Sequence, residues 1–182
     1  MKKKINGLIK PFVLLLTMFS VLSLPGLSQG SSNLTDAEIA SIAVVANQID
    51  IDYAEIALKR SKDPEVRKFA QTMIADHKGV IAQATALVKK LGVTPKDNKI
   101  SKKLQADALE TMKSLLKKSG DAYDKAYIQN EIAYHRAVIA TVKDLLIPDT
   151  DNKELKELLQ NVLPALETHL EHAIMVQNKI SK

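Results

Sequence analysis

One stripe of side chains constrains this chain more than any other feature. Ile128, Glu131, His135, Val138, Val142 and Leu145 recur every three or four residues, the spacing of a helix face turned toward a bundle interior. Two of the six are a carboxylate and an imidazole. An ionisable side chain in such a stripe costs free energy unless it is paired, hydrogen-bonded or bound to a metal. Glu131 and His135 therefore predict polar partners elsewhere in the chain.

Helical patterning continues on both sides of this stretch. Leu34-Thr35-Asp36-Ala37-Glu38-Ile39 reads as a Thr cap with Glu three residues on and a Leu/Ile staple. The stripe that follows is Ile39, Ile42, Ala46, Ile49, Tyr53, Ile56, ending at Ser61-Lys62-Asp63-Pro64. Asn33-Leu34-Thr35 also fits a glycosylation acceptor, but the cap already accounts for the Thr. Asp63 then caps a second helix with Pro64 in its first position, and Val66, Phe69, Ala70, Met73, His77, Ile81, Ala84, Val88 and Leu91 hold the spacing up to Gly92. After a loop through Pro95, a weaker helix is predicted from about Ser101 to Lys118, closed by Gly120. The third long helix runs from about Asp121 to Ile147, stopped by Pro148. The fourth starts at Asp151, with Glu154 in its acidic cap, and carries Leu155, Leu159, Val162, Leu166, His169, Ala173 and Val176 toward Ile180. Pro164 should bend it.

Tight connections join the first two and the last two long helices, and about 29 residues with a short helix lie between the pairs. The pattern predicts an all-α fold, an antiparallel four-helix bundle of the ferritin-like, single-crossover kind, with the extra short helix in the crossover. Plentiful Ala, Leu, Ile, Lys and Glu and the absence of Cys and Trp among 182 residues agree with one helical domain, and exclude disulfides, thiolate metal sites and cysteine nucleophiles.

Residues 1–28 read as an export signal: a basic start at Lys2, Lys3, Lys4 and Lys10, an apolar run from Phe12 to Leu24, and small residues before a cut at Gln29. Residues 29–35 form a short lead and 36–182 the bundle domain. Removing the signal takes four of the 26 basic residues and none of the 21 acidic ones, leaving 22 against 21 and a mature charge of +1. No basic stripe interleaved with aromatics remains to suggest nucleic acid, and Lys113, Lys117 and Lys118 read as a solvated helix face. The mature helices, with charged outer faces, are not expected to span a bilayer, and no barrel-type alternation is present. The chain also lacks a Gly-rich phosphate loop and a nucleophile-elbow Ser.

Of the four histidines, His77, His135 and His169 lie in predicted core stripes on three different helices, and His172 flanks the last one turn on. Glu131, Asp76 beside His77, and Asp50 after Ile49 add carboxylates. At about 1.5 Å of rise per residue, the depths of Asp50, His77, Glu131, His135 and His169 agree to roughly 9 Å, a band near mid-bundle. Imidazoles with carboxylates suit a divalent transition metal such as zinc, iron or manganese. The predicted ligands are His77, His135 and His169 with Glu131 or Asp50, supported by Asp76 and His172. The alternative is a buried hydrogen-bond network that only fixes helix register.

At Val66-Arg67-Lys68-Phe69-Ala70-Gln71-Thr72-Met73-Ile74-Ala75-Asp76-His77, in the helix carrying Tyr127 to His135, and at Leu163-Pro164 with His169-Leu170-Glu171-His172-Ala173, the chain resembles a bacterial family of exported proteins. That family is classed as domain of unknown function 4142, and its members carry an outer-membrane label and a ferritin-like superfamily assignment. The resemblance covers Asp36 to Ile180. It implies export, a periplasmic or cell-envelope location and the ferritin-like fold, but no defined activity. Di-iron ferritin-like proteins carry Glu-x-x-His on two helices; here Ile74, Ile132 and Leu166 stand three residues before His77, His135 and His169, and His169 stands three before His172. Ferroxidase or oxygen chemistry is therefore not expected. The sequence reads as an exported bundle with a metal-binding or envelope-stress role, against a structural or interaction module and, third, a metal-dependent redox enzyme. It names neither protein partner nor oligomeric state.

Overall fold

Thr35 opens the first helix as the sequence predicts: its hydroxyl accepts from the Glu38 amide and the Glu38 carboxylate accepts in return from the Thr35 amide, a reciprocal cap. The computed structural model describes residues 34–181, so the export signal expected over 1–28 lies outside the described residues. Helix α1 spans Asp36–Arg60, α2 Pro64–Leu91 and α3 Lys99–Leu116. Helix α4 spans Gly120–Thr141 and passes through a π-helical turn, Val142–Leu146, into the single turn α5, Ile147–Asp149. Helix α6 spans Lys153–Ile180 and runs unbroken through Pro164. Among the described residues there is no strand, and no helix is long and apolar enough to cross a membrane.

Contacts at the helix ends give the direction of each. Arg60, at the end of α1, donates to the carbonyls of Leu116 and Lys118, just before α4 begins. The Lys96 amide, just after α2, donates to Ala37 at the start of α1. Lys179 at the end of α6 pairs with Glu65 at the start of α2, and Lys90 near the end of α2 with Glu154 at the start of α6. Helices α2 and α4 therefore run parallel, α1 and α6 run against them, and α3 is the return leg: one crossover, as predicted.

Several boundaries differ from expectation for local reasons. Asn98 caps α3 earlier, at Lys99, with Ser101 completing the cap. Gly120, at φ 55°, does not close α3 but makes the left-handed entry into α4. Asn152 caps α6, accepting from Leu155, in place of Asp151. The π turn adds a residue to the repeat, so Leu146 is buried and Leu145 only half so.

Two apolar cores result. One gathers Phe69, Met73, Tyr127, Ile128, Ala173 and Val176; the other Ile39, Ile42, Val142, Leu146, Leu155 and Leu159. On each long helix the residues between the two are polar: Asn47 and Asp50 on α1, His77 on α2, Glu131 and His135 on α4, His169 on α6.

Phe69 is fully buried, with its ring 6.1 Å from that of Tyr127. Phe69→Ala is expected to cost about 3–5 kcal/mol, whereas Leu109→Ser, at a side chain 57% exposed, should change stability by less than about 0.5 kcal/mol. Urea unfolding midpoints check both, and equal effects would contradict the assigned core.

Candidate metal centre

His77, His135 and His169 approach one another from three helices until their ring centroids stand 5.9, 5.2 and 5.5 Å apart. Their exposures are 4%, 1% and 5%. In each, one ring nitrogen is occupied by an acceptor. His77 Nδ1 lies 2.7 Å from Asn47 Oδ1, and that amide is oriented because its Nδ2 donates to the Ala43 carbonyl at 2.8 Å. His135 Nδ1 lies 3.0 Å from the Glu131 carbonyl one turn back. His169 Nε2 lies 2.9 Å from Asp76 Oδ2.

An imidazole whose one nitrogen donates its hydrogen keeps a lone pair on the other. The atoms left over are His77 Nε2, His135 Nε2 and His169 Nδ1, and these three are buried without a hydrogen-bond partner. One ligand atom from each ring lies within 4.8 Å of the others. Three nitrogens about 2.0–2.1 Å from a common ion stand roughly 3.4 Å apart, so closing from separations within 4.8 Å needs each pair to approach by no more than about 1.4 Å.

Asp50 and Glu131 adjoin the triad. Asp50 Oδ2 is 3.4 Å from His77 Nε2 and 3.5 Å from His135 Nε2, and Glu131 Oε2 is 3.6 Å from His135 Nδ1. Their exposures are 1% and 0%, and all four carboxylate oxygens lack a hydrogen-bond partner. Burial penalises charge on both carboxyls and on His77 and His135. It pushes Asp50 up to about 8 and Glu131 well above the usual carboxylate range, where the Asp50 charge raises it further. It pulls His77 down to about 3, with the neighbouring imidazoles adding to the fall, and His135 to about 4 against the opposing hydrogen bond to the Glu131 carbonyl. Without a cation, the interior favours neutral carboxyls beside neutral His77 and His135.

All five expected ligands thus meet at one level, and the counted spread of roughly 9 Å is taken up by helix stagger and side-chain reach. Asp76 lies against His169, on the side of the ring away from the cluster's unpartnered nitrogens. His172 does not support the cluster: its ring stands edge-on to Phe69, centroids 5.2 Å apart, and it makes none of the hydrogen bonds that orient the triad. Asn47 was not predicted. Its signal was present, a polar residue three before Asp50 on the same helix face, but an amide carries no charge to draw notice. Beside the layer, an apolar cavity of about 80 Å³, walled by residues such as Ala84, Leu159 and Leu166, reaches His77 and His169.

Comparison with known proteins supports the architecture. A family model described as "Domain of unknown function (DUF4142)" matches residues 23–176. No curated protein matches the sequence. Among solved structures, the chain is similar to "CopM in the Cu(II)-bound form", with TM-score 0.60 and 18% identity over 80% of this chain and 98% of that one. At that identity the likeness shows the fold.

The electrostatics predict a pH dependence for the metal-free protein. Asp50 has a folded value of about 8 against an ordinary 3.8, so its contribution is fully present below the lower value and is lost as pH rises through the higher one. Between about pH 6.5 and 8 the histidines are mostly neutral in the unfolded chain too, and the carboxyls dominate. Stability should fall there by up to about 1.4 kcal/mol per pH unit for each carboxyl held protonated. Asp50→Asn should flatten the slope. Urea midpoints of chelator-treated protein at both ends of the window measure it, and equal slopes in the two proteins would contradict the assignment.

Proposed function

The chain belongs to the family described as Domain of unknown function (DUF4142), and on that premise we propose that it is an exported, metal-binding helical-bundle protein of the cell envelope. Its centre holds one first-row transition ion on His77, His135 and His169, with Asp50 alongside. Export rests on the leader read over residues 1–28, and the ferritin-like kinship on the single crossover.

One observation carries this reading: three buried imidazoles, each held by an acceptor on one nitrogen, leave the other nitrogen without a partner among the described residues, in a cluster where one ligand atom of each ring lies within 4.8 Å of the others. Ligating histidines are ordinarily oriented in this way, by a carboxylate, carbonyl or amide on the far side of the ring. A layer that served only to fix helix register would favour the opposite pattern, with every buried donor and acceptor satisfied within the network. Imidazole donors bind copper(II) and zinc well, copper the more tightly. The fold-sharing protein in its Cu(II)-bound form makes copper the first ion to try.

Protein purified without a His tag is expected to take up one equivalent of Cu(II) or Zn(II) by elemental analysis, and to lose it in the His77→Ala and His135→Ala variants. Free ion at 100 times the dissociation constant should add about 2.7 kcal/mol of stability. Asn47→Ala and Asp76→Ala should keep the stoichiometry but bind about 10–100-fold more weakly. Folded wild-type protein that holds no ion and gains no stability from added Cu(II) or Zn(II) would leave the layer a structural one.

A further inference from the structure

We propose that the polar layer contains a second cation position, built of Asp50, Glu131 and His135, that takes an oxygen-preferring divalent ion such as Mn²⁺ and excludes an ion on the three imidazoles. The inference rests on the metal-binding reading above, since both positions share His135.

The residues form a distinct ligand set. One ligand atom from each of Asp50, Glu131 and His135 lies within 4.8 Å of the others, a second grouping that shares only His135 with the three histidines. The side chains of the two acids are 1% and 0% exposed, and none of their four oxygens has a hydrogen-bond partner. Buried carboxylate oxygens left free on two facing helices are what a hard cation requires.

Charge separates the two positions as well. A divalent ion bound by two carboxylates and a neutral imidazole leaves no net charge in the core, whereas three imidazoles leave the ion's charge to be balanced from outside the set. Ions that favour nitrogen should therefore settle on the triad, and ions that favour oxygen on the Asp50–Glu131 side.

Exclusion follows from His135. Its Nδ1 is held at 3.0 Å by the Glu131 carbonyl, which accepts its hydrogen, and the Glu131 carboxylate stands 3.6 Å from that same nitrogen, so an ion beside the two acids meets His135 through Nε2, 3.5 Å from Asp50 Oδ2. Only Nε2 then offers a lone pair, and one lone pair ligates one ion. Two dications a few ångströms apart in a low-dielectric core would also repel each other strongly.

The test uses Zn²⁺ and Mn²⁺ on the full mature chain, with bound zinc read by elemental analysis and free Mn²⁺ by electron paramagnetic resonance. Each ion alone should bind to one equivalent, and Zn²⁺ should release Mn²⁺ one for one. Glu131→Gln should weaken Mn²⁺ about 10-fold or more and Zn²⁺ by less than about 3-fold, and His169→Asn should do the reverse. Circular dichroism and thermal midpoints confirm that both variants fold. Zinc and manganese bound together on one chain would overturn the proposal. So would both variants weakening the two ions alike, the mark of a single five-ligand site, or Mn²⁺ failing to bind where Zn²⁺ does. Mn²⁺ bound with Glu131 dependence where Zn²⁺ does not bind would uphold the carboxylate position and overturn the three-imidazole function instead.

Discussion

Five ionisable side chains meet where a helix bundle would ordinarily be packed with aliphatic groups, and the rest of the structure depends on how their desolvation is offset. Asp50, His77, Glu131, His135 and His169 are each at most 5% exposed. Isolated charges there would cost several kcal/mol each. The protein offsets part of this through fixed acceptors: Asn47, the Glu131 carbonyl and Asp76 each hold the outer edge of one imidazole. The inner edges and the two carboxylates have no such partner among the described residues. A cation at that level would offset the remainder, because it binds lone pairs and balances negative charge at once.

The helices deliver these groups to one level between two apolar cores. Phe69, Tyr127 and Ala173 pack α2, α4 and α6 together on one side; Ile42, Leu146 and Leu159 pack α1, the π turn and α6 together on the other. The two clusters hold the backbones, so the polar side chains need not contribute to cohesion themselves. Helix irregularities lie off the layer, with the π turn of Val142–Leu146 and Pro164 both on the side of the second core.

Much of this was legible in the sequence. Helical spacing, the Thr35 and Asp63 caps and the turn lengths carried the bundle and its crossover, because those signals are local and strong. The shared level of the five site residues also followed, since 1.5 Å of rise per residue is a property of every α-helix. Less legible was what depends on side-chain direction. Asn47 and His172 show the difference: both flank the predicted layer, yet Asn47 points into it and His172 turns against Phe69, a matter of less than one helical turn. The π turn was hidden as well, because a single inserted residue disturbs the apolar period no more than ordinary variation does.

Counting the imidazoles bound to a loaded ion addresses the central claim most directly. Pulsed electron paramagnetic resonance on the Cu(II)-loaded chain, with X-ray absorption for the distances, resolves ring nitrogens from oxygen donors. Three coordinated imidazoles at about 2.0 Å, falling to two when His169 is replaced, is the result this structure predicts. A Cu(II) signal with no more than one imidazole, or one unchanged by the loss of His169, would contradict it.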